Sequence, residues 1–316
     1  MNRRVLVAGG AGFIGSHVVE AYAAAGWSVT VLDDLSTGKA GNVPAGVPIL
    51  QLDVRSPEAR RAIAAGRFDV LVVQAAQVDV RVSVRDPLRD TDINVMGLVN
   101  QLEGAAEGGV RRVVFASSGG VLYGEADQVP TPETAPKCPI SPYGVSKLAG
   151  EHALRVLGAL RGFEVVALRY ANVFGPRQDP SGEAGVMSIF TGRALRGEPL
   201  TVFGDGRQTR DYVFVGDVAR ANLLAGTTPL PGGADPDTIA INIGTGLEHS
   251  VLDVVGAIGR ATGTVPTVAH APVRAGELAR SALDPSRAGA VLGWRAEVGF
   301  EEGLAALVHW MRTEVR

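Results

Sequence analysis

The sequence predicts a doubly wound α/β fold, a parallel sheet covered by helices on both faces, followed by a smaller α/β lobe. Three observations lead there. Short apolar, β-branched runs alternate with helical stretches through the first half, the first run passes straight into a glycine-rich turn, and the alternation stops after Asn172.

The runs at 4–8, 28–32, 49–52, 70–73, 111–116 and 164–169 are almost continuously apolar, as strands buried on both faces are. Helical stretches at 13–25, 57–65, 87–107 and 142–160 fall between them and give right-handed crossovers. Beyond Asn172, the stretch 174–182 is rich in turn residues, as loops bordering a site are. Helices at 186–196, 215–225, 250–261 and 301–312 follow among short strands, and 230–236 reads as a surface loop. The expected division is a dinucleotide-binding domain over 1–172, with parts of 208–245 returning to it, and a substrate lobe over 173–316.

A chain of 316 residues can bury a large core. Its formal net charge of -3 offers no basic field for nucleic acid or anionic lipid. The single cysteine, Cys138, excludes an internal disulfide and suits a reducing compartment. With no His or Cys companion nearby in sequence, it is not read as a metal ligand. Glycines interrupt the first apolar run after Ala8, too early for a signal peptide. No run approaches the ~20 apolar residues that cross a bilayer. The expectation is a cytoplasmic protein without metal, membrane or nucleic-acid partner.

Gly9-Gly10-Ala11-Gly12-Phe13-Ile14-Gly15 follows the first strand and opens a helix. Gly9 permits the tight turn, Gly12 lets the backbone approach a pyrophosphate, and Gly15 allows close helix packing. The N–H groups at the helix start, around Phe13 and Ile14, face phosphates. Asp33 ends the second strand at the distance expected for a carboxylate that accepts from a ribose 2′-OH, favouring NAD over NADP, and Asp34 reinforces it. Asp53-Val54 ends the third strand beside the expected adenine. Ala75-Ala76-Gln77 ends the fourth, where small side chains leave room for a dinucleotide, although ordinary packing explains the alanines equally well.

Tyr143 and Lys147 are four apart, so on a helix starting near Pro142 they share a face. A free phenol titrates near ~10 and is a weak base at neutral pH. A neighbouring ammonium and an oxidised nicotinamide both favour the phenolate. Taken alone, such a pair is structural in most proteins.

Together with Asp33-Asp34-Leu35-Ser36-Thr37-Gly38, Arg169-Tyr170-Ala171-Asn172-Val173-Phe174-Gly175-Pro176 and Arg210-Asp211-Tyr212-Val213, these motifs resemble the extended short-chain dehydrogenase/reductases, specifically the NAD-dependent sugar epimerase/dehydratase family, over essentially the whole chain. The resemblance implies a Rossmann domain, cofactor contacts from the 33–38 turn and Tyr170, and a nucleotide-diphosphate sugar as substrate. It implies that Asn172 bonds a phosphate or sugar oxygen, that Arg210 and Arg274 clamp the diphosphate, and that Thr201-Val202-Phe203 and Glu277 hold the nucleoside. Glu183 and Val186 would lie against the sugar–nucleotide. Relatives commonly dimerise through helices corresponding to 87–107 and the one carrying Tyr143.

The segment Ser117-Ser118-Gly119-Gly120-Val121-Leu122-Tyr123-Gly124 narrows the chemistry. Related dehydratases carry an Asp-Glu acid/base pair where this chain has Gly120 and Val121, and decarboxylating relatives use the same Glu. The resemblance therefore implies 4-epimerisation, with Tyr143 as acid/base, Lys147 lowering its pKa, and tightly held NAD. Most epimerases place Ser or Thr at the position of Gly119, to bond the reacting hydroxyl. Either Ser118 reaches in from the adjacent position or a water fills the gap. Val73-Gln74 also replaces the His-Leu of many relatives. The runs at 176–185 and 272–277 look most like bacterial UDP-glucose 4-epimerases, a framework shared by epimerases of UDP-glucuronate and N-acetylated UDP-sugars. A net nucleotide-sugar reductase and a non-catalytic NAD-binding regulator are the competing classes.

Overall fold

A computed structural model describes residues 3–180, 185–230, 240–274 and 277–314. Seven strands form one sheet: β1 (Arg4–Ala8), β2 (Ser28–Leu32), β3 (Ile49–Leu50), β4 (Val70–Val73), β5 (Arg112–Ser118), β6 (Glu164–Tyr170) and, from far along the chain, Ala240–Ile243. Their spatial order is Ala240–Ile243, β6, β5, β4, β1, β2, β3, and every pairing is parallel. The order reverses between β1 and β4, where open α/β sheets leave a crevice at the carboxyl ends of the strands.

Alternation along β1 shows why both faces are apolar. Val5 and Val7 enter a cluster with Val18, Val19 and Tyr22 of helix α1 (Phe13–Ala24), and with Val218 and Ala221 of the helix Val215–Thr227. Leu6 and Ala8 point the other way, into a cluster with Ala59 and Ile63 of α2 (Pro57–Ala65) and with Leu98, Leu102 and Leu154.

The expected helix at 87–107 is divided. A short helix α3 (Val80–Arg85) comes first, then α4 (Pro87–Thr91), a π-helical turn over Asp92–Met96, and α5 (Gly97–Gly108). The wide turn accompanies an inward-facing Asn94, whose side chain pairs with both backbone groups of Gln77, four residues past the end of β4. The third strand is also shorter than expected, ending at Leu50 rather than residue 52. After β5 come the single turn α6 (Gly119–Leu122) and the long α7 (Pro142–Arg161).

A third buried cluster draws on residues beyond β6. Met187 and Phe190 of the helix Val186–Leu195, Leu200 and Val202 of the strand Leu200–Phe203, and Leu304 and Leu307 of the helix Phe300–Glu314 gather around Phe174. The short parallel pair Asn172–Phe174 and Tyr212–Phe214 contributes Phe174 and Tyr212 to this cluster.

Candidate active site

The glycine turn is fixed by what a side chain would meet there. A Cβ on Gly9, at φ +77°, would stand 2.4 Å from the Ala75 nitrogen, and one on Gly15 would stand 2.0 Å from the Gly9 carbonyl. At Gly12 only that carbonyl, at 3.3 Å, comes near. Gly12 precedes α1 without a side-chain cap, so the first-turn amides at Phe13 and Ile14 remain available to an anion. Ala75 lies against this turn and also bonds Ala8, closing the floor of the crevice.

Asp33 is buried at the end of β2. Its carboxylate accepts from the amides of Ala11 and Leu35, both at 2.9 Å. Burial pushes its pKa up, and those two amides pull it back. Leu35 takes a left-handed φ of 61° in the resulting turn, and Gly38 packs against the carboxylate. Asp34 turns outward to Ser36, leaving Ser36 and Thr37 exposed. Asp53 is bound by Arg55, which holds its pKa below the usual range, while Val54 is buried beside Gly97.

Tyr143 and Lys147 lie on the first turns of α7. Ser141 caps the helix by accepting from Gly144, with Pro142 at the first helical position. The Lys147 ammonium is 5.7 Å from the centre of the Tyr143 ring and 4.9 Å from that of Phe115, and it donates to the Ala116 carbonyl at 2.9 Å. Burial lowers its pKa to about 8, with Asp90 and Glu151 opposing that fall.

Two residues beyond Ala116, Ser118 ends β5. A Cβ on Gly119 would fall 2.5 Å from the Leu283 side chain, so leucine packs directly against position 119. A Cβ on Gly120 would lie 4.0 Å from both the Ser118 hydroxyl and the Asn172 amide oxygen. Ser118 does not cap α6, and neither its hydroxyl nor the Asn172 amide has a hydrogen-bond partner among the described residues. Both border open space beside Gly120.

The profile of the NAD dependent epimerase/dehydratase family matches residues 5–244. This chain belongs to that family. A UDP-glucose 4-epimerase of Mycolicibacterium smegmatis is 42% identical, over 98% of this chain and 99% of the relative. The Thermus thermophilus UDP-glucose 4-epimerase solved with NAD is 48% identical, with a TM-score of 0.92 over 99% of this chain and 100% of that one. The Thermotoga maritima UDP-glucose 4-epimerase solved with UDP-glucose is 42% identical, with a TM-score of 0.94 over the same shares.

NAD is the cofactor of this epimerase/dehydratase, and the Gly9–Gly15 cradle and the Asp33 carboxylate fit it. Two expected contacts are engaged elsewhere. The Tyr170 hydroxyl is buried against Gln74 and Asn222, its pKa pushed up to about 12. The Gln77 side chain is taken up by Asp79 and Asp90. Gln74, at one of the positions departing from the His-Leu pair, thereby gains a structural role tying β4 to β6.

In the second lobe, the strand Leu200–Phe203 turns Val202 into the core, away from any ligand, and leaves Thr201 and Phe203 on its opposite side. Thr201 accepts from Arg193, and the Arg274 guanidinium lies 3.7 Å from the Phe203 ring centre. Arg210 donates to the Thr209 and Leu278 carbonyls and faces Glu277 at 3.7 Å. Arg210 and Glu277 are thus brought together, and Arg274 is stationed on the aromatic ring. Val186 opens its helix half-buried, while Glu183 lies outside the described residues.

The sequence reading missed the family enzyme's buried polar support. Glu151, two turns after Tyr143, grips Arg169 through both oxygens, at 2.9 and 2.6 Å, and accepts from Ser117. Arg169 also donates to the Tyr123 hydroxyl, which bonds Asn242 in turn. The available signal was a charged residue at i+4 from Lys147, on the same helix face.

Proposed function

We propose that this enzyme inverts the C4 centre of a UDP-hexose, with UDP-glucose and UDP-galactose as its substrates. The observation that supports the reading is that the Ser118 hydroxyl and the Asn172 amide lie on either side of Gly120, and that Lys147 stands beside Tyr143 on the following helix. A lysine-backed phenol, a serine hydroxyl and an asparagine amide lie along neighbouring elements, while Gly120 and Val121 supply no acid or base for dehydration. One proton carrier suffices for 4-epimerisation.

NAD, when bound, would supply the reversible hydride acceptor for C4. Tyr143 removes the 4-OH proton as the carbonyl forms and gives it back after the sugar has turned over. Lys147 holds positive charge beside the phenol, stabilising the phenolate, and would bond the nicotinamide ribose. Ser118 steadies the reacting hydroxyl and Asn172 a substrate oxygen. Phe203 and Glu277 hold the nucleoside, and Arg210 with Arg274 holds the diphosphate, for which their forked donors are suited.

The enzyme is proposed to act as a homodimer in the cytoplasm. Val84, Leu88 and Met96 of the α3–α5 stretch and Val156 and Leu160 of α7 are exposed apolar side chains that a second copy would cover. Light scattering reads the state directly, and a monomer at working concentration removes this part. The exposed thiol of Cys138 suits a reducing compartment.

The deciding experiment mixes the purified protein with UDP-galactose and follows UDP-glucose by NMR without added coenzyme. Conversion with protein-bound NAD is expected. Stoichiometric consumption of added coenzyme would indicate a reductase. Conversion of only UDP-glucuronate or an N-acetylated UDP-sugar would keep the mechanism and remove the hexose assignment.

A further inference from the structure

Lys147 is 4% exposed, and its ammonium makes one hydrogen bond, to a neutral carbonyl. An ammonium so placed needs a negative partner to remain charged. The ionisable groups around it come from several elements. Glu151, on its own helix, is held bidentately by Arg169 of β6, so its charge is largely met. Tyr143 lies on the same helix, and the Tyr123 hydroxyl beyond α6 points to Arg169. Asp79, which caps α3, is paired with Arg81.

Asp90 of α4 differs from all of these. It is fully buried, and no cation lies within ion-pair distance among the described residues. One carboxylate oxygen accepts from Gln77 at 2.8 Å and Asn94 at 3.1 Å, while the other has no donor. A buried carboxylate with an unserved oxygen is unfavourable unless a nearby positive charge compensates it. Asn94, which donates to Asp90, also reaches the hydroxyl of Ser146 at 3.3 Å, the residue before Lys147 on α7, so the carboxylate sits against the turn that carries the lysine and is one of the two carboxylates raising its pKa.

We propose that Asp90 is the buried counter-charge that keeps the Lys147 side chain an ammonium in the working enzyme. Neither residue contacts the other through a hydrogen bond in the structure; the coupling is through space in a site water does not reach. Asp90 is therefore a positioning residue, acting on Tyr143 through the charge of Lys147. Its bearing on turnover rests on the reading of Tyr143 as proton carrier.

The unserved oxygen makes a clean variant. In Asp90→Asn the amide oxygen can still accept from Gln77 and Asn94, and the new NH2 replaces an atom that had no donor. The chain has three lysines, Lys39, Lys137 and Lys147, so carbon-13 labelling of the lysine side chains gives three resolvable titrations by NMR. Lys147 is assigned by loss of its signal in Lys147→Met. In NAD-loaded D90N its midpoint is expected to fall by about one pH unit, the size of a lost neighbouring charge. An unchanged midpoint overturns the proposal. If D90N fails to fold, Asp90→Ser removes the same charge and is read in the same way. The pH profile of kcat separates the two readings. Its alkaline limb should move down with the lysine, and a moved lysine with a fixed limb upholds the counter-charge while refuting the role of Lys147 in turnover.

Discussion

The Lys147 ammonium stands 5.7 Å from the centre of the Tyr143 ring, one turn further along the same helix, and is anchored to the Ala116 carbonyl at 2.9 Å. That anchor lies two residues before Ser118, so the lysine ties the start of the helix that carries the phenol to the end of the strand that carries the hydroxyl.

Replacing Tyr143 with Phe removes the proton carrier and little else. Turnover of UDP-galactose should fall by a hundredfold or more, on the order of what a positioned acid/base contributes. NAD, read by absorbance after denaturing the protein, should stay bound. A variant that keeps wild-type turnover refutes the assignment.

Ser118 and Gly119 can be told apart. Ser118→Ala should slow turnover by roughly tenfold, about 1.4 kcal/mol for one lost hydrogen bond in the transition state. Gly119→Ser should restore nothing, because its side chain is directed at Leu283, and should lower stability by about 1–3 kcal/mol through overpacking. Faster turnover in G119S would show that position 119 does reach the crevice.

The cofactor helix is strapped by the loop after Phe174. Arg177 pairs with Glu20 at 2.6 Å and donates to the Asn42 carbonyl at 3.2 Å, and His17 bonds the Pro176 carbonyl at 3.0 Å. Lys39 pairs with Asp179 at 3.2 Å. Arg177→Ala should speed the loss of NAD about fivefold, equivalent to roughly 1 kcal/mol, as measured by NAD remaining after timed dialysis. Equal retention would mean that the strap does not hold the cofactor.

His17 makes that joint acid-sensitive. Burial first, then the Arg177 charge, lower its pKa to about 4 from an ordinary 6.5. Between those values the unfolded chain binds more protons than the folded one, so stability falls as pH drops from about 6.5 to 4. His17→Gln should flatten the melting temperature across this window, removing on the order of 1–3 kcal/mol of pH dependence. An unchanged slope in that window would assign the sensitivity elsewhere.

The parts legible in the sequence were those set by neighbours along the chain. Gly9, Gly12 and Gly15 sit where a strand meets a helix, and Ser141-Pro142 announces the helix that carries Tyr143. What escaped depended on distant contacts. Whether Gly119 faces the crevice is decided by Leu283, and the fate of Tyr170 by Asn222. The π turn at 92–96 interrupts a sequence that reads as one helix, and its Asn94 is held by Gln77 from another element. Val202 belongs to a motif that reads as one contact surface, yet strand alternation sends it inward.

The Glu151–Arg169 pair joins α7 to β6, and Ser117 of β5 fastens to the same carboxylate. Sliding the helix along the sheet would tear two charges apart where no solvent can rescue them. The register of the helix that carries Tyr143 against the end of the strand that carries Ser118 is thus pinned by one dry rivet, so unpairing it should disturb both ends of the candidate site together.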